Sequence, residues 1–236
     1  MNHQRPVLEI VATSGRCAQR ATRAGADRIE ACQGLELGGL TPSPEVLEQI
    51  LEFAPQLGVH ALLRSRPGDF YYTGDEAQIM QRQAVRLARA GVHGLVLGAL
   101  DRQGQLDLPL MLRWAQAALE INPQMDIVVH RAIDASANPV REVKRLRQLP
   151  VRRILTSGGQ KTVADGFNTI AQMLQQAGDD VQIMCGGGLR GEDLAAACHM
   201  KVAGVHFSAK TSYADTIEVS EQEVRELRRT LDELSN

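Results

Sequence analysis

The sequence lacks a charge excess of either sign: 26 Lys and Arg face 28 Asp and Glu, leaving a net charge of -2. It is also poor in aromatics, with four Phe, three Tyr and one Trp. Nucleic-acid grooves are built from clustered positive charge, commonly with aromatic stacking platforms, so both shortages argue against a nucleic-acid partner. No apolar run approaches the roughly 20 residues that span a bilayer, so no membrane partner is expected. The opening stretch "MNHQRPVLEIV" lacks the apolar core of a signal peptide. Cysteine is scarce as well. Cys17, Cys32, Cys185 and Cys198 form no CxxC pair and no disulfide-like framework. Reduced thiols and a cytoplasmic location are the expectation.

What is present is a folded composition, 44% apolar and 23% charged over 236 residues. No linker or low-complexity stretch divides it, so residues 1–236 read as one domain. A short pattern recurs in "RAGADRIEA" (23–31), "RAGVHGLVL" (89–97) and "VAGVHFSA" (202–209). Each reads as a helix end, a glycine and a strand, with Gly25, Gly91 and Gly204 in the left-handed conformation that closes a helix. Extending the pattern gives strands at 7–11, 27–31, 59–64, 93–98, 126–131, 152–157, 181–185 and 204–208. Amphipathic stretches separate them. "DEAQIMQRQAVRLARA" sets Ile79, Met80, Val85 and Leu87 at approximate helical spacing. Pro44, Pro109 and Pro139 stand near helix starts, where a missing N–H does least harm. "SEQEVRELRRTLDELSN" reads as the last helix. "TSYADTIEV" before it is poorly patterned and is expected to be mobile. Eight strands alternating with helices predict a (β/α)8 TIM barrel. An open doubly wound sheet would carry a glycine-rich nucleotide fingerprint after its first strand, and "ATSGR" there is none.

Barrels carry their chemistry where strands end at the C-terminal mouth. Glu9 and Glu30 fall in or near the ends of the first two strands, and Arg64 and Arg66 at the end of the third. His130, Arg131 and Asp134 follow the fifth. His206 and Ser208 end the eighth. Side chains alternate across a strand, so His130 and Arg131 cannot both face inward while the strand stays regular. His130 is placed inside, and Arg131 joins it only if the chain bends. One reading is a buried ion-pair network that neutralises itself. The other is a site with Glu9, Glu30 and His130 as acid, base or metal ligands and Arg64 and Arg66 as a fork around an anion. Ser157, Gly158, Gly187, Gly188 and Ser208 lie in small polar loops after the last three strands, where backbone N–H groups approach an anion closely. A small anionic or phosphorylated metabolite is the partner this reading implies. Soft thiolates suit Cu(I), but a buried cysteine also packs as a small apolar residue.

The strings "LEIVATS", "AGADRIEAC", "GGLTPS", "RPGDFYYT", "HRAID", "TSGG" and "GVHFS", in this order from residue 7 to 209, resemble the CutC family, named for copper homeostasis. The resemblance implies a TIM barrel in the cytoplasm, a homodimer or higher homo-oligomer, and a part in copper trafficking, tolerance or storage. Its barrel-mouth pattern maps onto Glu9, Glu30, Arg64, Arg66, His130, Arg131 and Asp134. Cys32 matches the family's cysteine in "EAC" and is the thiol implied for a copper ion. Some relatives carry a further cysteine where this chain has Val11.

Overall fold

The computed structural model describes residues 5–213 and 216–235. The first four residues of the stretch read for a signal peptide lie outside it, as do Ala214 and Asp215 of the stretch expected to be mobile.

Eight parallel strands close into a barrel in sequence order: β1 (Val7–Ala12), β2 (Arg28–Ala31), β3 (Val59–Leu62), β4 (Gly94–Leu97), β5 (Asp126–Val129), β6 (Arg153–Thr156), β7 (Gln182–Gly186) and β8 (Gly204–Phe207). The helices between and after them are α1 (Gly15–Arg23), α2 (Pro44–Leu51), α3 (Gly74–Arg89), α4 (Leu108–Leu119), α5 (Pro139–Leu146), α6 (Val163–Ala177), α7 (Leu194–His199) and α8 (Glu221–Leu234). The architecture is the predicted (β/α)8 TIM barrel. No described helix is long and apolar enough to cross a membrane.

Local sequence sets the helix starts. Ser14, Ser43, Asp107, Asn138, Thr162 and Ser220 each cap a helix by accepting a backbone N–H. Thr73 and Glu76 cap α3 reciprocally. The buried face of α3 is Ala77, Met80, Ala84, Leu87 and Ala88. Ile79, expected on that face, is instead half exposed, because the i, i+3, i+4 stripe runs through the alanines.

The third repeat has a different register. Gly25 and Gly91 have positive φ, but Gly204 does not and opens β8. Lys201, at φ 61°, makes the left-handed turn after α7. The stretch after β8 forms a two-stranded sheet of its own. It pairs β9 (Lys210–Tyr213) antiparallel with β10 (Thr216–Val219), and Glu218 of β10 ion-pairs with Arg20 of α1.

Strand alternation sorts the core into two bodies. Leu8, Ile10 and Ala12 belong to the large apolar layer between sheet and helices. Val11, Cys32, Leu62, Val96 and Val128 form a separate cluster inside the barrel. Polar groups share that interior: Glu9, Arg28, His60 and Arg153 are all buried.

Candidate functional site at the barrel mouth

A cavity of about 360 Å³ opens at the C-terminal ends of the strands. Glu30, Cys32, Arg64, Phe70, His130, Arg131, Gly187, Gly188, His206 and Ser208 all border it. Contributions thus converge from five strand ends, as the barrel rule requires.

Its polar centre is built on β1. The register sets Glu9 opposite Arg28 on β2 and opposite His206 on β8. Glu9 takes both as partners: the Arg28 guanidinium on one oxygen, and His206 Nδ1 at 2.7 Å on the other. Burial alone would raise the Glu9 carboxyl, but Arg28 and His206 together hold it well below the usual carboxylate range. Glu9 is therefore a fixed anion that orients His206. His206 in turn is raised above an ordinary histidine: burial opposes its charge, and Glu30 and Glu9 outweigh burial.

Glu30 stands two residues beyond Arg28 and is 6% exposed. Its carboxyl is pushed up to about 7, mainly by burial, with Glu9 adding repulsion and His206 and Arg28 opposing. One donor atom from each of Glu9, Glu30 and His206 lies within 4.8 Å of the others. A carboxyl and an imidazole, both raised above their ordinary values, thus face one cavity. Such perturbed pairs mark acid–base sites. The same three side chains are a donor set suited to a hard or borderline divalent ion.

The sequence-derived set divides here. Glu30, Arg64, His130, Arg131, Gly187, Gly188, Ser208 and Cys32 meet at the cavity. Glu9 sits one layer below, behind His206. His130 and Arg131 both border the cavity because regular pairing in β5 stops at Val129.

The Arg64–Arg66 fork is not formed. Arg64 Nη1 donates to the Leu37 and Gly39 carbonyls at 3.1 Å each, and Nη2 to the Gly68 carbonyl at 2.8 Å. Arg66 lies outside the cavity lining, held by Glu76 at 2.5 Å and Asp69 at 3.0 Å and stacked over Tyr72. Ser157 and Gly158 are also absent from the lining. Both are buried in a loop tied to Asp134, which accepts from the Ser157 N–H at 3.0 Å and the Gly159 N–H at 3.0 Å. Arg131 joins that hub through Asp134 at 2.9 Å and Ser157 Oγ at 2.9 Å. The loop therefore aims Arg131 and offers no open anion nest of its own.

His130 has a different role from a proton shuttle. Its Nδ1 accepts the Ala132 N–H at 3.0 Å, which places the ring proton on Nε2. Burial, reinforced by nearby Arg64, pushes its pKa down to about 3. The imidazole is neutral throughout the physiological range.

Arg28 and His206 carry the centre. The sequence places His206 at a strand end without giving it a role, and does not single out Arg28. Arg28 was detectable by parity alone, two residues before Glu30 on the same face.

The thiols are split across the barrel wall. Cys185 packs in the sheet–helix layer with Cys17, on the other side of the wall from Cys32. Burial, with help from Glu30, pushes the Cys32 thiol far up, so the thiolate that would bind metal is suppressed.

Known proteins resemble this chain in sequence and fold. The CutC family profile matches residues 7–211. A CutC family protein from Xanthomonas campestris pv. campestris (strain B100) is 40% identical over 189 residues, covering 80% of this chain and 77% of the relative. One from Xanthomonas axonopodis pv. citri (strain 306) is 37% identical over 221 residues, covering 93% and 90%. The crystal structure of CutC from Streptococcus agalactiae superposes with a TM-score of 0.76 at 25% identity, covering 86% of this chain and 98% of that one. With the profile spanning most of the chain and relatives near 40% identity across it, the chain belongs to the CutC family.

Proposed function

We propose that this CutC family member acts at its barrel mouth on a small anionic metabolite by acid–base chemistry, with Glu30 and His206 as the proton-transferring pair. The carrying observation is Glu30: a carboxyl nine-tenths buried, with no hydrogen bond among the described residues, beside a histidine and facing a cavity. At neutral pH it exists in both protonation states, as a general base or acid needs. The reaction class that fits is removal of a proton from a carbon next to a carbonyl. The proton passes to Glu30, and the negative charge left on the carbonyl oxygen is met by the imidazolium of His206. Glu9 holds that imidazolium in place. Arg131 and the Gly187–Gly188 backbone supply the anion-facing side.

The Streptococcus agalactiae relative bears a copper-homeostasis name, and an association with copper homeostasis extends to this chain by kinship. Direct Cu(I) binding at Cys32 is not what the donor set favours. A second reading is a divalent ion held by Glu9, Glu30 and His206, favoured by their mutual distances. The four cysteines, which form no disulfide among the described residues, suit a reducing, cytoplasmic setting. One domain over residues 1–236 and a homo-oligomeric assembly complete the proposal.

Proton exchange tests it. The protein is incubated in D2O with a panel of small carbonyl acids and phosphorylated carbonyl compounds, and deuterium uptake next to the carbonyl is followed by NMR. Uptake is expected for at least one compound, falling by more than a hundredfold in Glu30→Gln. Dependence on added Zn2+ would select the metal reading. No uptake from any compound, with Glu30 titrating near 4.5, would overturn the acid–base assignment.

A further inference from the structure

Arg64 is 7% exposed, and among the described residues no carboxylate lies within ion-pairing distance of it. Its terminal nitrogens donate to three backbone carbonyls, which satisfy hydrogens and leave the charge uncompensated. Its remaining donor, Nε, is buried and has no partner. Buried cations without a counter-charge are expensive, and so are buried donors without acceptors.

A second orphan lies beside it. His130 is 5% exposed, and its Nε2, which carries the ring proton, has no partner either. The nearness of the two residues registers in the downward push Arg64 exerts on the His130 ring. Phe70 packs on both: its ring centroid is 5.1 Å from that of His130 and 5.1 Å from the Arg64 guanidinium carbon. The Gly98 backbone backs the His130 ring so closely that a Cβ there would lie 2.7 Å from it. All three side chains border the mouth cavity. The result is one fixed positive charge and two rigid, unsatisfied N–H donors under an aromatic cover.

We infer that Arg64 and His130 form a carboxylate-binding subsite, in which the two oxygens of one carboxylate accept from Arg64 Nε and His130 Nε2 once Phe70 swings aside. One negative charge balances the single uncompensated guanidinium, and two oxygens match two donors. A phosphate dianion would overfill both counts. The subsite deepens the proposed function by naming the substrate as a carboxylic acid. It lies on the β3–β5 side of the mouth, while Glu30 and His206 lie on the β2 and β8 side. The ligand therefore enters with its carboxylate toward Arg64 and its reacting carbon toward Glu30.

The experiment is a titration of the whole chain with acetate, pyruvate and malonate, with inorganic phosphate as comparison, followed by thermal shift and by the 15N signals of the histidine rings. Saturable stabilisation by a carboxylate is expected, with a downfield shift of the His130 Nε2 proton as it gains an acceptor. His130→Asn keeps an acceptor for the Ala132 N–H and deletes the Nε2 donor, so it preserves the fold and lowers carboxylate affinity at least tenfold. Glu30→Gln retains saturable carboxylate binding and the Nε2 proton shift while losing deuterium exchange, which separates this subsite from the acid–base pair. The proposal is overturned if carboxylates bind equally well to His130→Asn, if the Nε2 signal stays put at saturation, or if only phosphate binds. In each of those cases the Glu30–His206 assignment still stands or falls on deuterium exchange.

Discussion

At the residue scale the clearest lesson is that identity and neighbourhood must be read together. Glu9 and Glu30 are the same residue type, two strands' ends apart, and environment drives them in opposite directions. Glu9 gains Arg28 and His206 as hydrogen-bond partners; Glu30 gains burial. The sequence located both because a Glu inside an apolar strand is conspicuous. It could not rank them, since the ranking depends on Arg28, whose inward side was hidden within "DRIEA". Arg66 fails for a matching reason: nothing in "RSRPGDF" announces that Glu76, in the first turn of α3, consumes its guanidinium. The contrast between the two glutamates carries a stability prediction. A carboxyl raised from 4.5 to about 7 in the folded state favours folding fully below 4.5, and that advantage is lost as pH rises through 7. About 2.5 pH units correspond to about 3 kcal/mol. Glu30→Gln, which has no charge to bury, is thus expected to be more stable than the parent by on the order of 2–3 kcal/mol at pH 8.5. The gain shrinks toward zero at pH 5. Urea denaturation at the two pH values measures it; an equal gain at both would show that ionisation of Glu30 is not what burial opposes.

At the element scale the legible features were periodic, and the illegible ones were tertiary. Alternation of apolar strands with amphipathic helices was visible in the sequence, and Pro44, Pro109 and Pro139 marked three helix starts. The Gly204 register was misread because the "AG" string repeats while the turn itself moves to Lys201. The β9–β10 hairpin has no alternation to announce it, and part of its support comes from α1, some 200 residues away in sequence, through Arg20 and Glu218. Asp134 shows how one side chain can organise a βα loop. It accepts from Thr156 Oγ1 at 2.5 Å, from two backbone N–H groups and from Arg131. Hydrogen bonds to a charged acceptor contribute about 1.5–3 kcal/mol each, and their buried donors are left orphaned when the acceptor goes. Asp134→Ala is expected to destabilise the protein by about 3 kcal/mol or more and to release Arg131 from its position against Gly187. Chemical denaturation gives the first effect, and loss of anion affinity the second. A variant as stable as the parent would mean that the loop holds its shape without this hub.

At the scale of the whole molecule, the barrel's interior decides how the protein responds to acid. His60 and His130 are both buried and both lowered to about 3, chiefly by desolvation. A histidine whose folded pKa is depressed contributes stability that is present above its unfolded value of 6.5 and is lost as pH falls toward 3. At pH 5 each has forfeited roughly 1.5 units, or about 2 kcal/mol, so about 4 kcal/mol together. Glu30 acts in the opposite sense, regaining about half of what the two histidines lose between pH 7 and 4.5. Stability therefore falls by about 2–3 kcal/mol from pH 7 to about 4.5. Below that, Glu30 is fully protonated and has nothing more to return, while the histidines continue to lose and the stabilisation Glu9 draws from Arg28 and His206 begins to be lost. Domains of ordinary stability hold only about 5–15 kcal/mol, so a steep acid transition near pH 4 follows. The proton balance makes this checkable without reaching the transition. At pH 5.5 unfolding lets two histidines each take up about one proton and lets Glu30 release about one, for a net uptake of about one. In Glu30→Gln the release is gone and the net uptake rises to about two. Calorimetric unfolding in buffers of different ionisation enthalpy reads that difference directly. An unchanged uptake in the variant would mean that Glu30 is already ionised in the folded barrel, and the proton-sharing centre at its mouth would lose its physical basis.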